Sequence, residues 1–203
     1  MHKSLAMGWV ALALLAIQIL SVGCNSSDLP ADPYYHSIAQ HRLSLDTFFR
    51  SSKKSPFYSK KNFTKLQFYD IDPSYLLRVP LQQLSNPQIV QFKTNTAKMP
   101  VYLKQYKLQF ELQNSSHTLM GYVSSRNPQI LFIPFKDLTN AQQTYGGGRY
   151  LELPIPDSDT LDLDFNLAFN PYCHYDTGFA CPLVPRENYL NIAVKAGEKI
   201  YQP

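Results

Sequence analysis

Residues 101–113 carry a regular alternation of apolar and polar side chains. Successive side chains of a β-strand point to opposite faces, so this period of two predicts a strand with one buried and one solvated face. The polar residues 114–116 end the strand, and residues 117–124 are expected to return beside it as a hairpin partner. The apolar positions that share one parity are Tyr102, Tyr106, Leu108, Phe110 and Leu112.

Further strand patterns fill most of the chain after residue 75. Residues 130–135, ILFIPF, are apolar without interruption, which is typical of a strand buried on both faces. Residues 161–167 alternate, with Asp162, Asp164 and Asn166 on the polar side, and this pattern predicts a solvated acidic edge. The remaining predicted strands are residues 76–80 and 88–94, separated by a Ser-Asn-Pro turn, the residues around Leu151 and Leu153, and residues 190–195.

One helix is predicted, at the start of the domain. Pro33 follows Asp32 and suits the first helical position, where its missing N–H costs nothing. The pattern stays loosely helical as far as Arg50. The apolar side chains expected on one side of this helix are Ile38, Leu45, Phe48 and Phe49.

These elements predict one mainly β domain (β-rich α+β) over residues 33–203. We expect an antiparallel, bent sheet closed into a small barrel or a sandwich, because closure protects edge strands, with the N-terminal helix against it. The chain of 203 residues is 13% aromatic, 17% charged and contains 15 prolines, which disfavours a helix bundle. Its net charge of +4 is too small to suggest nucleic acid as a partner.

Residues 1–23 have the features of a lipoprotein-type signal peptide. Lys3 precedes an apolar run at residues 5–20, and small residues lead to Cys24. A cysteine directly after glycine resembles the lipobox of bacterial lipoproteins, which implies cleavage before Cys24, diacylglycerol on its thiol and an acyl chain such as palmitate on its amine. Residues 24–32 would then be a polar tether.

This resemblance implies a location in the bacterial cell envelope. The lipid would anchor the domain to a membrane, and Asn25 after the cysteine favours the outer membrane, with the domain facing the periplasm. A plain secretory signal and an uncleaved membrane anchor are the alternatives.

The three cysteines become easier to interpret if Cys24 is lipidated, since Cys173 and Cys181 then remain as a pair. In an oxidising compartment a disulfide between them is the first interpretation. A metal site with His174 would need further ligands at a suitable spacing, and a nucleophilic cysteine would need a base that the sequence does not place. We therefore predict neither a metal nor a cofactor.

The last third of the chain contains long motifs: TYGGGRYL, LDFN-x-AFNPYC, C-P-L-x-P-x-EN and AGEK. With the upstream LFIPF-KD, they resemble the bacterial and archaeal family named domain of unknown function 1684 (DUF1684), over residues 34–201. The resemblance implies no activity, because that family has no established one. It therefore assigns no role to any residue.

The motifs nevertheless contain side chains suited to binding. Gly146–Gly148 lacks the Lys-Ser/Thr of a phosphate loop and is interpreted as a turn that needs positive φ or close backbone approach. Arg149 offers a planar fork for a carboxylate or phosphate, and the alternative is a buried ion pair with Asp164 or Glu187.

Two functions from different classes follow. The first is a binding module with a pocket for a small polar or anionic ligand, and the second is a hydrolase that uses Asp164 or Glu187 as acid or base beside Arg149. The sequence does not decide whether the protein is an enzyme. The candidate ligand-binding residues are Tyr145, Arg149, Tyr150, Asp164, Asn166, Asn170, Glu187 and Asn188.

Overall fold

The computed structural model describes residues 32–58 and 62–202, so the predicted signal peptide and most of the tether lie outside the described residues. Within these two ranges, one α-helix precedes six β-strands. The strands are antiparallel neighbours in the order β5-β4-β3-β2-β1-β6 and form a nearly closed barrel, which confirms the predicted fold class. The elements are α1 (Pro33–Ser51), β1 (Leu76–Gln91), β2 (Val101–Leu112), β3 (Ser115–Ser124), β4 (Asn127–Phe135), β5 (Arg149–Pro154) and β6 (Thr160–Asp164).

The helix begins where the sequence predicts. The Asp32 side chain accepts a hydrogen bond from the Tyr34 N–H at 2.8 Å, and Pro33 occupies the first turn. Ile38 and Phe49 are the buried side chains of α1. No helix in the described part of the chain is long and apolar enough to cross a membrane.

The predicted hairpin joins β2 to β3. Gln113 and Asn114 form its turn with φ values of 53° and 59°. Two consecutive positive φ values give a type I′ turn, whose twist matches that of the flanking strands. The pairing of Leu112 with Ser115 follows from this two-residue loop.

The prediction of two strands over residues 76–94 is wrong. The structure has one strand, β1, which continues through Ser85-Asn86-Pro87 with a register shift between Gln83 and Gln88. Proline cannot donate to a ladder, but a bulge tolerates it because the extra residues there are unpaired. The Asn-Pro signal therefore marks an irregularity inside a strand and not its end.

A second bulge changes the predicted faces of β2. Lys104 pairs with Tyr122, yet Tyr106 pairs with Gly121, so β2 has one extra residue at this point. An extra residue reverses the face on which later side chains lie. Tyr102 is therefore on the opposite face from Leu108, contrary to the single parity expected from the sequence.

Apolar side chains pack on the inner face of the sheet and on part of its outer face. The barrel interior contains a large core that includes Leu131, Ile133 and Phe135 of β4. Phe132 of the same strand belongs to a second cluster on the outer face, where residues 169–184 cover the sheet. The prediction of a strand buried on both faces is confirmed for β4.

Residues 190–195 are not a strand, which corrects that prediction. They lie beside residues 136–138, with the Leu190 N–H bonded to the Lys136 carbonyl oxygen at 2.7 Å and the Leu138 N–H to the Ile192 carbonyl oxygen at 2.9 Å. The alternation still has a physical basis, since Leu190, Ile192 and Val194 point into the barrel core.

Candidate functional site

Arg149 lies in the interior of the barrel. Its side chain is fully buried, and Nη2 donates to Oδ2 of Asp137 and to the carbonyl oxygen of Val194, each at 2.8 Å. Nη1 donates to the carbonyl oxygens of Ala196 and Glu198. The guanidinium fastens the C-terminal segment, residues 190–198, to the barrel. Both Nη atoms are used in these bonds, so the fork cannot bind a carboxylate or phosphate with two donors.

Asp164 and Asn166 attach helix α1 to the end of β6. Both side chains are buried, so the predicted solvated acidic edge is wrong at these positions. The Tyr34 hydroxyl donates to Oδ2 of Asp164 at 3.0 Å and accepts from Nδ2 of Asn166 at 2.9 Å. Nδ2 of Asn166 also donates to the carbonyl oxygen of Asp72 at 2.8 Å. The chain turns here into a short helix, Phe165–Leu167, which folds these polar groups inward.

Asn170 belongs to a buried cluster with Glu198. The Glu198 carboxylate accepts the Asn170 backbone N–H at 2.9 Å and the Tyr175 hydroxyl. Burial raises the pKa of Glu198 to about 7, although these hydrogen bonds work in the opposite direction. Nδ2 of Asn170 donates to the Lys199 carbonyl oxygen at 2.8 Å. The cluster ties the C-terminal segment to the loop after β6.

Asn188 and Glu187 lie in a third region. Asn188 is fully buried and makes hydrogen bonds of 2.7 to 2.9 Å to the backbone of Met120 on β3 and Pro134 on β4. Oε1 of Glu187 accepts from the Tyr122 hydroxyl at 2.6 Å and lies 3.5 Å from Nζ of Lys104. Both residues secure the segment after Val184 to the outer face of the sheet.

Arg149 is therefore brought together neither with Asp164 nor with Glu187. Among the described residues Arg149 pairs with Asp137, Asp164 with Tyr34, and Glu187 with Tyr122 and Lys104. The buried ion pair with Asp164 or Glu187 that the sequence offered as an alternative does not form, and Arg149 pairs instead with Asp137, an aspartate close to it in the chain. Sequence reasoning missed this partner, although the KD that ends LFIPFKD was visible as part of the motif.

Cys173 and Cys181 are free thiols, so the predicted disulfide is not supported. The Cys173 N–H donates to Sγ of Cys181 at 3.1 Å, and the Tyr145 hydroxyl lies 4.0 Å from Sγ of Cys173. The hydrogen bond from the Cys181 thiol, helped by Tyr145, lowers the pKa of Cys173. Burial lowers the pKa of His174 to about 4, and its Nε2 lies 3.0 Å from the Tyr201 backbone nitrogen. The imidazole is therefore neutral at pH 7, and its Nε2 accepts a hydrogen bond from the Tyr201 backbone N–H.

A cavity of about 620 Å³ lies between α1, the outer face of the barrel and the segment after β6. Of the predicted site residues, Tyr150 and Asn170 line it, together with Cys181. His41, Leu45 and Phe49 form the helix side. The aromatic side chains on the barrel and loop sides are Tyr102, Phe132, Tyr150, Phe169, Tyr172 and Phe179.

The strands determine how these rings are arranged. The bulge in β2 turns Tyr102 outward, where its ring stacks on Phe132 with centroids 5.2 Å apart. Phe132 meets Tyr150 edge to face at 4.8 Å. Phe169 forms a bridge with Tyr150 by two backbone hydrogen bonds, of 2.9 and 3.0 Å. One wall of the cavity is therefore a continuous aromatic surface built on β2, β4 and β5.

Glu152 adds a carboxylate to this wall. It pairs with Phe132 across β4 and β5, and it is two residues from Tyr150, so all three side chains lie on one face. Glu152 is exposed to solvent, but the surrounding protein raises its pKa. Sequence reasoning missed Glu152, whose only signal is its shared parity with Tyr150 in RYLELP.

A family model described as a protein of unknown function, DUF1684, matches residues 61–199. The chain belongs to the DUF1684 family. A solution NMR structure of an uncharacterised protein from Haloarcula marismortui is similar to it, with a TM-score of 0.66 and 35% identity over 82% of this chain and 94% of that chain. No curated protein matches the chain.

The DUF1684 match contains all six strands and the segments that cover the outer face, whereas α1 precedes it. It therefore includes the aromatic wall and Glu152 but not the helix side of the cavity. The family and the solved relative are both uncharacterised, so neither names a ligand.

Proposed function

We propose that this DUF1684 protein binds a small molecule in the cavity between α1 and the outer face of the barrel. The supporting observation is the cavity itself. Its volume of about 620 Å³ is in the range of small-molecule sites, roughly 300–1,000 Å³. Aromatic walls with few polar groups are typical of such sites, and they favour a ligand with a flat apolar body.

We further propose that the protein works in the bacterial cell envelope. Cys24 follows an export-type segment, so acyl chains on this residue would hold the domain at the outer membrane, facing the periplasm. The tether would place the cavity near the membrane surface. The acid–base hydrolase is not proposed, since Asp164 and Glu187 each have a partner other than Arg149.

Binding is tested with tryptophol, an uncharged indole with a hydroxyethyl side chain. We expect saturable shifts of the Tyr150 and Glu152 amide resonances when the reduced, unlipidated domain is titrated by ¹H–¹⁵N NMR. Ala180→Trp fills the cavity that Ala180 lines and should abolish the shifts. Ala97→Trp, at an exposed alanine outside the lining, should leave them unchanged. Equal shifts in both variants would contradict the proposed site.

A further inference from the structure

The charge of the cavity lining indicates which ligands it can accept. Of the described residues that line it, none is a lysine or an arginine, while Glu152 and Glu198 are carboxylic acids. His41 is the one histidine among them, and burial, aided by the Arg42 charge, lowers its pKa. At pH 7 this imidazole is neutral, so the described lining offers no positive side chain to an anion.

The two acids differ in whether other groups of the protein form hydrogen bonds with their carboxylates. Glu198 is fully buried, and Tyr175 and Asn170 hold its carboxylate from inside the protein. Glu152 has no hydrogen-bond or ion-pair partner among the described residues. Glu152 is exposed to solvent, yet partial enclosure by the surrounding protein still raises its pKa. Glu152 therefore presents an uncompensated carboxylate to whatever enters the cavity.

Aromatic rings lie close to this carboxylate. Burial raises the pKa of Tyr102 and of Tyr172, and the Glu152 charge adds to both increases, while at Tyr102 the Arg126 charge works in the opposite direction. Glu152 is therefore within electrostatic reach of one ring on β2 and one on the loop after β6. Phe132, its cross-strand partner, stacks on Tyr102.

A carboxylate within electrostatic reach of aromatic rings in one cavity lining is complementary to a cation. The electron-rich ring faces attract an ammonium group, and the carboxylate supplies the opposite charge. An anion would meet the same faces and the same carboxylate with repulsion. The predicted anionic ligand also lacks Arg149, whose fork lies in the interior.

Resting on the proposed function, we propose that the cavity binds an organic cation. Its ammonium group lies at the Glu152 carboxylate between Tyr102 and Tyr172, and its apolar body packs along Phe169 and Phe179. Tyr172 and Phe179 meet edge to face at 5.3 Å, so the ring beside the ammonium group is in contact with a ring beside the apolar body.

Three indoles that differ only in their side-chain head group test this proposal. Tryptamine carries an ammonium, tryptophol a hydroxyl and indole-3-acetate a carboxylate. We expect tryptamine to bind about tenfold more tightly than tryptophol, and indole-3-acetate to bind most weakly, by NMR titration at pH 7. The shared indole separates the effect of charge from that of apolar contact.

Glu152→Gln removes the charge and keeps the shape. It should lower tryptamine affinity about tenfold and leave tryptophol affinity unchanged. Glu111→Gln, at an exposed glutamate of β2 outside the cavity, makes the same change in net charge and should affect neither probe.

The outcomes separate the two proposals. If tryptophol binds as tightly as tryptamine, or Glu152→Gln leaves tryptamine affinity unchanged, the cation proposal is wrong and the binding site stands. If none of the three indoles gives saturable shifts at Tyr150 and Glu152, both proposals fail. The unperturbed part of each variant's spectrum shows whether it has folded.

Discussion

Arg149 and Asp137 form an ion pair from which water is excluded, with side-chain exposures of 0% and 0%. Such a pair offsets its desolvation cost only when further hydrogen bonds satisfy both groups. Here the backbone carbonyls of Val194, Ala196 and Glu198 accept from the two Nη atoms, leaving Nε as the one guanidinium nitrogen without a partner among the described residues. The Thr139 hydroxyl donates to Oδ1 of Asp137. The side chain in the motif that is best suited to an anionic ligand is therefore part of the core.

Replacing Arg149 should damage stability and not binding. Arg149→Ala leaves the Asp137 carboxylate buried without a partner, so we expect the free energy of unfolding to fall by about 3–5 kcal/mol. Urea unfolding of the reduced domain measures this loss. Arg78→Ala, at an exposed arginine on β1, should change stability by no more than about 0.5 kcal/mol. Near-equal stability of the two variants would show that the buried pair contributes little.

Gly148 illustrates the part of the motif that depends on the backbone. Its φ is +97°, and a Cβ built on it would lie 2.7 Å from the Phe135 carbonyl oxygen. The turn brings β5 back beside β4 directly before Arg149, so no side chain fits at this position.

Gly148→Ala should therefore destabilise the domain by more than about 1 kcal/mol, because both the backbone conformation and the space exclude a methyl group. The midpoint of thermal unfolding is the appropriate measurement. Gly178→Ala is the matched control, since Gly178 is exposed and a Cβ there would meet only the Asp176 side chain. A Gly148→Ala midpoint no lower than the control's would contradict the steric argument.

At the scale of elements, the sequence predicts the structure correctly where a few neighbouring residues determine it. The helix from Pro33, the hairpin at Gln113-Asn114 and the doubly buried β4 follow from capping, turn chemistry and hydrophobicity over a few residues. The bulge in β2 has no such signature, because it depends on the register with β3. This bulge places Tyr102 in the cavity wall, so the site could not be assembled from periodicity alone.

The C-terminal segment behaves as an element although, among the described residues, its only β pairing is an isolated bridge between Phe68 and Glu198. Residues 190–198 pack apolar side chains into the barrel and receive the Arg149 hydrogen bonds, while Glu198 carries the bonds to Asn170 and Tyr175. A buried acid whose pKa is raised to about 7 binds its proton more tightly in the folded protein than in the unfolded chain.

Glu198 should therefore make stability depend on pH. Its contribution is fully present below the usual glutamate pKa, near 4.5, and is lost as the pH rises to about 7. Between pH 5 and pH 8 we expect this group to lower the free energy of unfolding by about 2–3 kcal/mol. Urea unfolding across this range should show a steeper decline for wild type than for Glu198→Gln. Glu111→Gln should retain the wild-type slope, and parallel slopes in all three proteins would exclude Glu198 as the source.

At the scale of the whole molecule, the cavity exists because three parts of the chain meet. The barrel supplies the aromatic wall, residues 169–182 supply the second side, and α1 supplies Leu45 and Phe49 from a position before the DUF1684 match. Sequence motifs identified Tyr150 and Asn170, which lie on the family-matched parts. Glu152 and Tyr102 could not be identified in this way, since their proximity depends on how the covered outer face is built.

The proposed lipid anchor at Cys24 would also determine how far the cavity lies from the membrane. α1 starts at Pro33, only nine residues after Cys24, so acylation of that cysteine would fix the helix side of the cavity within a short tether of the lipid surface.

In bacterial cells that process lipoproteins, we expect wild type in the membrane fraction and mass spectrometry to show an acylated N-terminal Cys24. Cys24→Ala should lose the acyl groups and the processing that depends on them. Cys173→Ala, which alters a half-buried thiol of the folded domain, should retain both. An unmodified Cys24 in the mature wild-type chain would instead indicate plain secretion, and the cavity would then have no fixed distance from a membrane.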